Sequence, residues 1–255
     1  MRFASIGSGS RGNATLISHK ETTLLVDCGF SARETEKRLQ RLKLNAGDLS
    51  AILVTHEHAD HINGVRVLAR KYQIPVYATP GTAAGLPEDT KELIHEISCH
   101  ESFSIADIEI NPFPVPHDAR EPSQFAFSDG NHRLGLLTDL GISTPIIEQA
   151  LTLCDALLLE ANHDMDMLDN SEYPDHLKYR VSGRLGHLNN VQSAKLLEKI
   201  DTSRLQHIVA MHLSEKNNSP NIVAPLFAEA LNCEQSWIGL AKQDTGFDWR
   251  EITNR

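Results

Sequence analysis

The chain lacks the cysteine pairs and apolar leader segments that mark many exported proteins. Its four cysteines, Cys28, Cys99, Cys154 and Cys233, are widely spaced and form no Cys-x-x-Cys pair. Reduced thiols in the cytoplasm are the simplest interpretation of this pattern. Residues 1–10 contain no continuous apolar stretch of the signal-peptide kind, and the composition is not that of a membrane-spanning chain. We therefore expect a cytoplasmic protein without a membrane association.

The chain also lacks an excess of positive charge. Its formal net charge of −10 argues against a protein whose whole surface binds nucleic acid. Two bound divalent ions would add about +4 at their own site, so the net charge does not exclude a nucleic-acid substrate. Residues 176–187 contain Lys178, Arg180 and Arg184 but no acidic residue. This stretch could contact phosphates, or it could be a solvated loop with an ordinary share of cations.

No repeat, low-complexity tract or linker divides the sequence. Hydrophobic residues make up 40% of its 255 residues and charged residues 23%, which is typical of a globular protein, so we expect one domain over residues 1–255. Early strands, followed by strands that alternate with helices, predict an α/β (α+β) fold of two mixed sheets with helices outside. Predicted strands cover 3–6, 14–18, 22–27, 51–55, 102–115, 124–128, 134–139, 156–160 and 208–211, and predicted helices cover 61–72, 144–153, 191–200 and segments that open at Ser31 and Ser219.

What the chain does contain is a dense group of side chains that can bind metal. The segment Thr55-His56-Glu57-His58-Ala59-Asp60-His61 follows the apolar run 51–54. Neutral imidazole and carboxylate groups are ligands that borderline divalent ions accept. His56 and His58 fit one ion, and Asp60 and His61 indicate a second ion beside it. Two ions about 3.5–4 Å apart commonly hydrolyse phosphate and acyl bonds.

Three further predicted strands end in residues that can bind metal: His117, Asp139 and His212. A single histidine after a strand is more often an ordinary surface residue. The recurrence at several strand ends is informative, because such residues share one edge of a sheet and can form one site. The remaining histidines include four in less regular contexts that we expect to have no role at the site: His95, His100, His132 and His207.

In this order, the motifs resemble those of the metallo-β-lactamase-fold hydrolases. The resemblance rests on Asp27 after Leu24-Leu25-Val26, on the HxHxDH segment, and on the three strand-end residues, across most of the chain. It implies a four-layer αββα sandwich and two divalent metal ions, for which Zn and Mn both suit the ligands. The implied ligands are His56, His58 and His117 for one ion and Asp60, His61 and His212 for the other, with Asp139 bridging the ions and Asp27 orienting the HxHxDH loop.

The C-terminal third resembles one branch of these hydrolases more closely. Residues 158–162, 185–190 and 211–214 are similar to three motifs of ribonuclease Z and related phosphodiesterases. By this resemblance Glu160 and His187 form a pair that gives a proton to the leaving oxygen, and Asp60 serves as a catalytic metal ligand. The opening segment 8–14, together with 212–214, resembles the bacterial YycJ-type branch, which implies exonuclease activity on DNA from a 5′ end.

We therefore expect a dinuclear-metal-dependent phosphodiester hydrolase, a DNA exonuclease of the 5′ type that uses a metal-bound hydroxide. No large nucleic-acid-binding insertion is expected between Asp139 and His212. Thioester or lactone hydrolysis of the glyoxalase II type is the alternative, because the same ions polarise a carbonyl, and a non-catalytic binding module is a third hypothesis. Ser8, Ser10 and Asn13 could bind a phosphate, although a turn that requires glycine at positions 7, 9 and 12 explains the same segment.

Overall fold

The chain forms short, mostly buried strands and helices, and the computed structural model describes residues 1–254. The strands are β1 (Arg2–Gly7), β2 (Ala14–His19), β3 (Thr22–Val26), β4 (Ala51–Leu53), β5 (Val76–Ala78), β6 (Ile94–Glu96), β7 (Phe103–Ile105), β8 (Ile108–Pro114), β9 (Ser123–Ser128), β10 (Arg133–Leu137), β11 (Ala156–Glu160), β12 (His207–Met211), β13 (Gly239–Leu240) and β14 (Phe247–Glu251). The helices are α1 (Ala32–Arg41), α2 (Ala59–Ile62), α3 (Val65–Tyr72), α4 (Pro80–Ala83), α5 (Pro145–Leu151), α6 (Met165–Asp169), α7 (Asp175–Ser182), α8 (Asn190–Lys199) and α9 (Pro220–Leu231). Within residues 1–254, no helix combines the length and the apolar character needed to cross a membrane.

The strands form two sheets of seven strands each. The order in the first sheet is β14-β1-β2-β3-β4-β5-β6, and the order in the second is β13-β12-β11-β10-β9-β8-β7. Each sheet is mixed: β1 to β3 pair antiparallel and β3 to β6 pair parallel, while β7 to β10 pair antiparallel and β10 to β13 pair parallel. Parallel neighbours need crossover connections, and the six crossovers contain, in chain order, α1, α3, α4, α5, α8 and α9.

The alternation of side chains along the strands divides the core into layers. Phe3 and Leu24 of the first sheet pack with Phe125 and Val209 of the second sheet in the cluster between the sheets. Their sequence neighbours point outward and pack with residues of α1 and α3 on the first sheet, and with residues of α5, α8 and α9 on the second sheet. Strands buried on both faces appear as continuous apolar runs. The predicted sandwich of two mixed sheets with helices outside is confirmed.

Three strands end in residues whose backbone is left-handed. Asp27, Asp139 and His212 have φ angles of 60°, 56° and 54° and follow β3, β10 and β12. Non-glycine residues rarely adopt this conformation, which costs about 1–3 kcal/mol and persists only where the surroundings impose it. At these positions the chain turns sharply off the strand, so the three side chains point into the same edge of the sandwich.

The predicted helix 61–72 is wrong in its extent. The structure has two helices, α2 and α3, separated by Asn63 and Gly64. The Gly64 amide donates to Cys28 O at 2.7 Å, and a Cβ atom at Gly64 would lie 2.1 Å from Phe30 O. The close approach of the segment after β3 therefore interrupts the helix.

Other differences concern short elements. The predicted strand 102–115 is two strands, β7 and β8, joined by a turn in which Ala106 has a φ of 49°. The strands β5, β6, β13 and β14 and the helices α4, α6 and α7 were not predicted. The first part of the cation-containing stretch 176–187 lies in α7 and is helical, not a loop. Apart from β14, these strands have only two or three residues, which is too short for an alternating pattern, and pairing with neighbouring strands defines them.

Replacement of Gly29 by alanine should destabilise the fold. A Cβ atom there would lie 1.7 Å from Asp60 O and 2.7 Å from Asn13 N, where the segments after β1, β3 and β4 cross. Backbone atoms have to move to relieve this overlap, and we expect a loss of about 1–3 kcal/mol in the free energy of unfolding. Urea denaturation of Gly29→Ala measures it. Gly47→Ala is the matched control, because its nearest neighbour would lie at 3.5 Å; equal stability of the two variants would contradict the prediction.

Candidate metal centre

Three histidine side chains converge at the edge of the sandwich. His56 and His58 lie in the loop after β4, and His117 lies after β8. His58 Nδ1 is 3.1 Å from His56 Nε2 and 3.3 Å from His117 Nε2. Nitrogen ligands about 2.0–2.1 Å from a tetrahedral zinc ion lie roughly 3.3 Å apart. The separation of these nitrogens therefore fits one shared metal ion.

A second cluster lies beside the first. Asp60 Oδ2 is 3.5 Å from His61 Nε2 and 3.9 Å from His212 Nε2. Asp60 and His61 belong to α2, which begins directly after His58. His212 follows β12 of the other sheet. Both sheets therefore contribute to this cluster.

Asp139 lies between the two clusters. Its Oδ2 is 3.3 Å from His61 Nε2, and one ligand atom each of His56, His61 and Asp139 lies within 4.8 Å of the others. Asp139 Oδ2 and His212 Nε2 are both buried and have no hydrogen-bond partner among the described residues. Buried polar atoms are normally paired, and these two are donor atoms that a cation would satisfy. The residues present fit divalent metal ions.

The second ring nitrogen of each of these histidines lies within hydrogen-bonding distance of a protein oxygen. This contact fixes the ring orientation and the tautomer, and it is characteristic of metal-binding histidines. The pairs are His56 Nδ1 with Thr55 Oγ1 at 3.0 Å, His58 Nε2 with Asp118 O at 3.2 Å, His61 Nδ1 with Asp27 Oδ2 at 2.7 Å, His117 Nδ1 with Gly186 O at 3.1 Å, and His212 Nδ1 with Glu160 Oε1 at 3.0 Å.

Asp27 connects the HxHxDH loop to the end of β3. Asp27 Oδ1 accepts the Thr55 amide at 2.9 Å, and Oδ2 accepts the Thr55 hydroxyl at 2.9 Å. The same Oδ2 is the partner of His61 Nδ1. The carboxylate is buried, so these contacts determine where the loop begins and how the His61 ring points.

Glu160, at the end of β11, contacts two histidines at once. Its Oε1 is 3.0 Å from His187 Nδ1 as well as 3.0 Å from His212 Nδ1. Its Oε2 accepts the Leu188 amide at 2.9 Å, and the Asp139 amide donates to Oε1 at 3.0 Å. Glu160 is fully buried, whereas the side chain of His187 is 21% exposed at the cleft. The pair therefore places an oriented imidazole beside the ligand clusters.

The electrostatics of the site depend on burial and on its dense charges. Burial, with the neighbouring imidazoles, holds the pKa of His56 well below its ordinary value. Burial also lowers the pKa of His61 and of His212, but the carboxylates around them outweigh it: the pKa of His61 is raised well above its ordinary value and that of His212 is raised to about 9. Burial raises the pKa of Glu160, but His187 and His212 outweigh it and lower that pKa, so Glu160 remains ionised.

The three residues predicted to bind phosphate occupy different environments. Ser8 Oγ accepts the His212 amide at 2.9 Å. Asn13 Oδ1 accepts the Gly9 amide at 2.8 Å, and its Nδ2 lies 3.1 Å from His61 Nε2. Both are buried, whereas Ser10 is exposed and lines the cleft. Gly9 and Gly12 have φ angles of 140° and 149°, so the segment is also the glycine-dependent turn that the sequence predicts.

A cleft of about 230 Å³ opens over the two clusters. Asp60, Asp139, His187 and His212 line it, together with residues of α7.

His95, His100, His132 and His207 contribute to none of the candidate metal clusters among the described residues. Cys28 also stays outside these clusters, and burial raises the pKa of its thiol to about 12.

Two residues that adjoin the site, Asp118 and His163, were not predicted from the sequence, whereas Asn162 lies in the predicted motif 158–162. Asp118 places its carboxylate Oδ1 3.5 Å from His117 Nε2 and 3.9 Å from His58 Nε2. Asn162 donates from Nδ2 to His212 O at 3.0 Å and supports the turn that carries His212. His163 is buried beside Asn162, and its burial lowers its pKa to about 4. The only sequence signal for these residues was their position next to a predicted ligand or strand end.

Comparison with known proteins identifies the family. The model of the beta-lactamase superfamily domain matches residues 22–212. The chain belongs to this family. Exodeoxyribonuclease YycJ of Bacillus anthracis is 36% identical to this superfamily member over 248 residues, which cover 94% of this chain and 93% of the relative. Exodeoxyribonuclease WalJ of Streptococcus pneumoniae serotype 2 is 35% identical over 225 residues, which cover 85% and 83%.

A solved structure supports the same fold for this superfamily member. The metallo-β-lactamase fold protein YhfI from Bacillus subtilis superposes with a TM-score of 0.75 at 17% identity, and the match covers 98% of each chain. The predicted resemblance to metallo-β-lactamase-fold hydrolases is confirmed. The family and the ligand clusters together make this superfamily member a hydrolase that depends on divalent metal.

Removal of the Asp27 charge should weaken metal binding without removing a ligand. Asp27→Asn leaves the side chain nearly the same size but loses the carboxylate that orients His61. We expect the metal affinity to fall about 10–100-fold, as is typical for such supporting residues. Competition with a chromogenic chelator measures this. The control is Asp107→Asn, which removes an exposed carboxylate paired with Lys20; metal affinity in Asp27→Asn equal to that of the control would rule out the orienting role.

Proposed function

We propose that this protein is a nuclease that uses two divalent metal ions, Zn or Mn, to hydrolyse DNA from a 5′ end. The relatives that match it over most of its length carry the name exodeoxyribonuclease. The observation that carries the proposal is the Glu160–His187 pair, which lies beside the ligand clusters at the open cleft. A phosphodiester has a poor leaving group, so a positioned proton donor is the feature that its hydrolysis requires.

Each cluster would hold one ion. His56, His58 and His117 would bind the first, Asp60, His61 and His212 the second, and Asp139 lies where it can contact both. When bound, the pair of ions supplies an activated water and offsets the charge that builds on the phosphate oxygens. Asp60 is part of this catalytic apparatus because its carboxylate faces both the second cluster and the cleft.

His187 would deliver the proton to the leaving oxygen. Its Nδ1 faces Glu160, so Nε2 is the ring atom that remains for the substrate. Glu160 holds the ring in place through the contact between its Oε1 and His187 Nδ1. Of the three residues predicted to bind phosphate, Ser10 is the one whose exposed position at the cleft supports that role.

A panel of substrates tests the proposed reaction. Protein loaded with Zn or Mn should release nucleotides stepwise from a 5′-labelled DNA duplex or single strand, and Asp60→Ala should lose this activity. RNA, a thioester and a lactone are assayed beside the DNA. Cleavage of the thioester or the lactone with the nucleic acids intact would contradict the proposal and favour an acyl hydrolase on the same metal centre.

Replacement of His187 by alanine should separate catalysis from metal binding. We expect His187→Ala to retain the wild-type metal content and to cleave DNA about 10²-fold more slowly, because only the proton donor is lost. Metal content is measured by mass spectrometry and turnover with labelled DNA. His100→Ala, which changes an exposed loop histidine, is the control. Loss of metal from His187→Ala would instead make His187 a metal ligand.

A further inference from the structure

The helix α7 covers one side of the cleft without belonging to the core. None of its eight residues is buried. Its C-terminal end is bound to the segment that carries His187, because the His187 amide donates to Val181 O at 2.8 Å. Gly186 permits this contact, since a Cβ atom there would lie 2.2 Å from both Arg180 O and Val181 O. The helix is therefore a cover attached to the segment that carries His187.

One face of this helix lines the cleft. Leu177, Arg180 and Val181 contribute to its wall, and Tyr173 contributes from the turn before the helix. Among the described residues of that wall, Arg180 is the only lysine or arginine and Tyr173 is the only phenylalanine, tyrosine or tryptophan. The opposite face is open to solvent, with Tyr179 77% exposed. The two faces of α7 therefore differ in composition, and packing against the core does not explain this difference because no residue of α7 is buried.

Arg180 is bound to an acid beside the metal centre. Its Nε donates to Asp118 Oδ2 at 2.6 Å, and Asp118 Oδ1 lies 3.5 Å from His117 Nε2. The guanidinium is 59% exposed and Asp118 is 30% exposed, so this pair contributes little to stability. A guanidinium fork binds a phosphate in the same geometry as a carboxylate. A substrate phosphate would thus compete with Asp118 for the Arg180 guanidinium.

Tyr173 offers a flat surface on the wall of the cleft. The Lys216 ammonium lies 5.7 Å from the centre of its ring, which adds a positive charge on that side. Aromatic rings next to cations are the usual contacts of single strands, where a base stacks and the backbone is neutralised. The charge of the whole chain is −10, so these local cations are significant for an anionic ligand.

The cleft is too small to enclose a polymer, so a polymer substrate would also contact the wall of the cleft. Its volume of about 230 Å³ is below the roughly 300–1,000 Å³ that encloses a drug-sized ligand. A reacting phosphate and its sugar fill such a space, so the rest of a polymer would pass the wall that α7 and the turn before it help to form. Arg180 and Tyr173 are the residues that it would meet there.

We propose that α7 and the turn before it form a strand-binding arm, in which Arg180 binds the phosphate next to the reacting one and Tyr173 stacks on its base. This inference rests on the proposed nuclease function and adds the residues that select a polynucleotide. Arg180 exchanges Asp118 for the substrate phosphate when the strand binds. A small phosphodiester has neither the second phosphate nor the base that these two contacts require.

The test compares a polymer with a small diester. Arg180→Gln and Tyr173→Ala should each raise KM for a 5′-phosphorylated single-stranded DNA about tenfold. Both variants should lose about fivefold less in kcat/KM on bis(4-nitrophenyl) phosphate than on DNA, because that substrate has no second phosphate for Arg180 and no base for Tyr173. Tyr173→Phe should retain most of the affinity for DNA. Tyr179→Ala on the opposite face and Arg66→Gln, whose partner Asp89 is remote from the cleft, are the matched controls.

Each outcome decides the proposal. An unchanged KM for DNA in both variants would overturn it, and equal losses on both substrates would show that Arg180 acts through Asp118 on the metal centre instead. The binding of fluorescent DNA to metal-loaded protein, measured by anisotropy on wild type and on the slow variant His187→Ala, separates this inference from the nuclease proposal. If wild type cleaves no DNA but binds it in a manner that depends on Arg180 and Tyr173, the arm stands and the nuclease function falls. If wild type neither cleaves nor binds DNA, both fall.

Discussion

The convergence of imidazole nitrogens and carboxylate oxygens in a buried space is the constraint on which the rest of this structure depends. Asp139 Oδ2 and His212 Nε2 are buried without a hydrogen-bond partner among the described residues, and three ring nitrogens of the first cluster lie within 3.3 Å of their neighbours. Such an arrangement is unfavourable unless a cation satisfies the unpaired groups. The left-handed turns at Asp27, Asp139 and His212 add backbone strain at the same edge. The fold therefore uses part of its packing energy to keep this edge ready for metal.

That requirement links the two halves of the sandwich. The first sheet carries Asp27 and the HxHxDH loop, and the second carries His117, Asp139, Glu160 and His212. The ligands meet only when the inner faces are packed, with Phe3 and Leu24 against Phe125 and Val209. Any ion held by both sheets binds the packed state in preference to the unfolded chain, so metal binding and sheet packing reinforce each other. Glu160 contributes to the same coupling because it contacts a ligand and the proton donor together.

The sequence predicts this site better than it predicts the outline of the fold. The HxHxDH segment is local and dense, and His117, Asp139 and His212 each follow an apolar run, so both signals survive without any tertiary information. The shared edge then follows from the way strands end in a sheet. By contrast, the position of Asp118 beside His58 and His117 depends on the path of the loop after β8, which no local pattern encodes. The short edge strands and α7 were missed for a related reason: β13 has two residues, α7 buries none, and contacts with other parts of the chain define both.

The contrast between the ligand edge and the exposed helix α7 bears on how one kind of metal centre can act on different substrates. A pair of divalent ions activates water toward a phosphoryl or a carbonyl group, so the ligands alone do not select the substrate. Selection has to come from groups that contact the parts of the substrate that do not react, because binding energy from those parts positions the reacting bond. In the proposed strand-binding arm, such groups lie on α7 and the turn before it, outside the core, and Gly186 permits the contact of α7 with the loop of His187. A weakly packed cover next to a rigid ligand edge can change its surface residues at little cost to folding, since none of its side chains supports the core. In this proposal, substrate choice and metal chemistry are carried by different parts of the fold, which are joined by the backbone contact between Val181 and His187 and by the pair of Arg180 with Asp118.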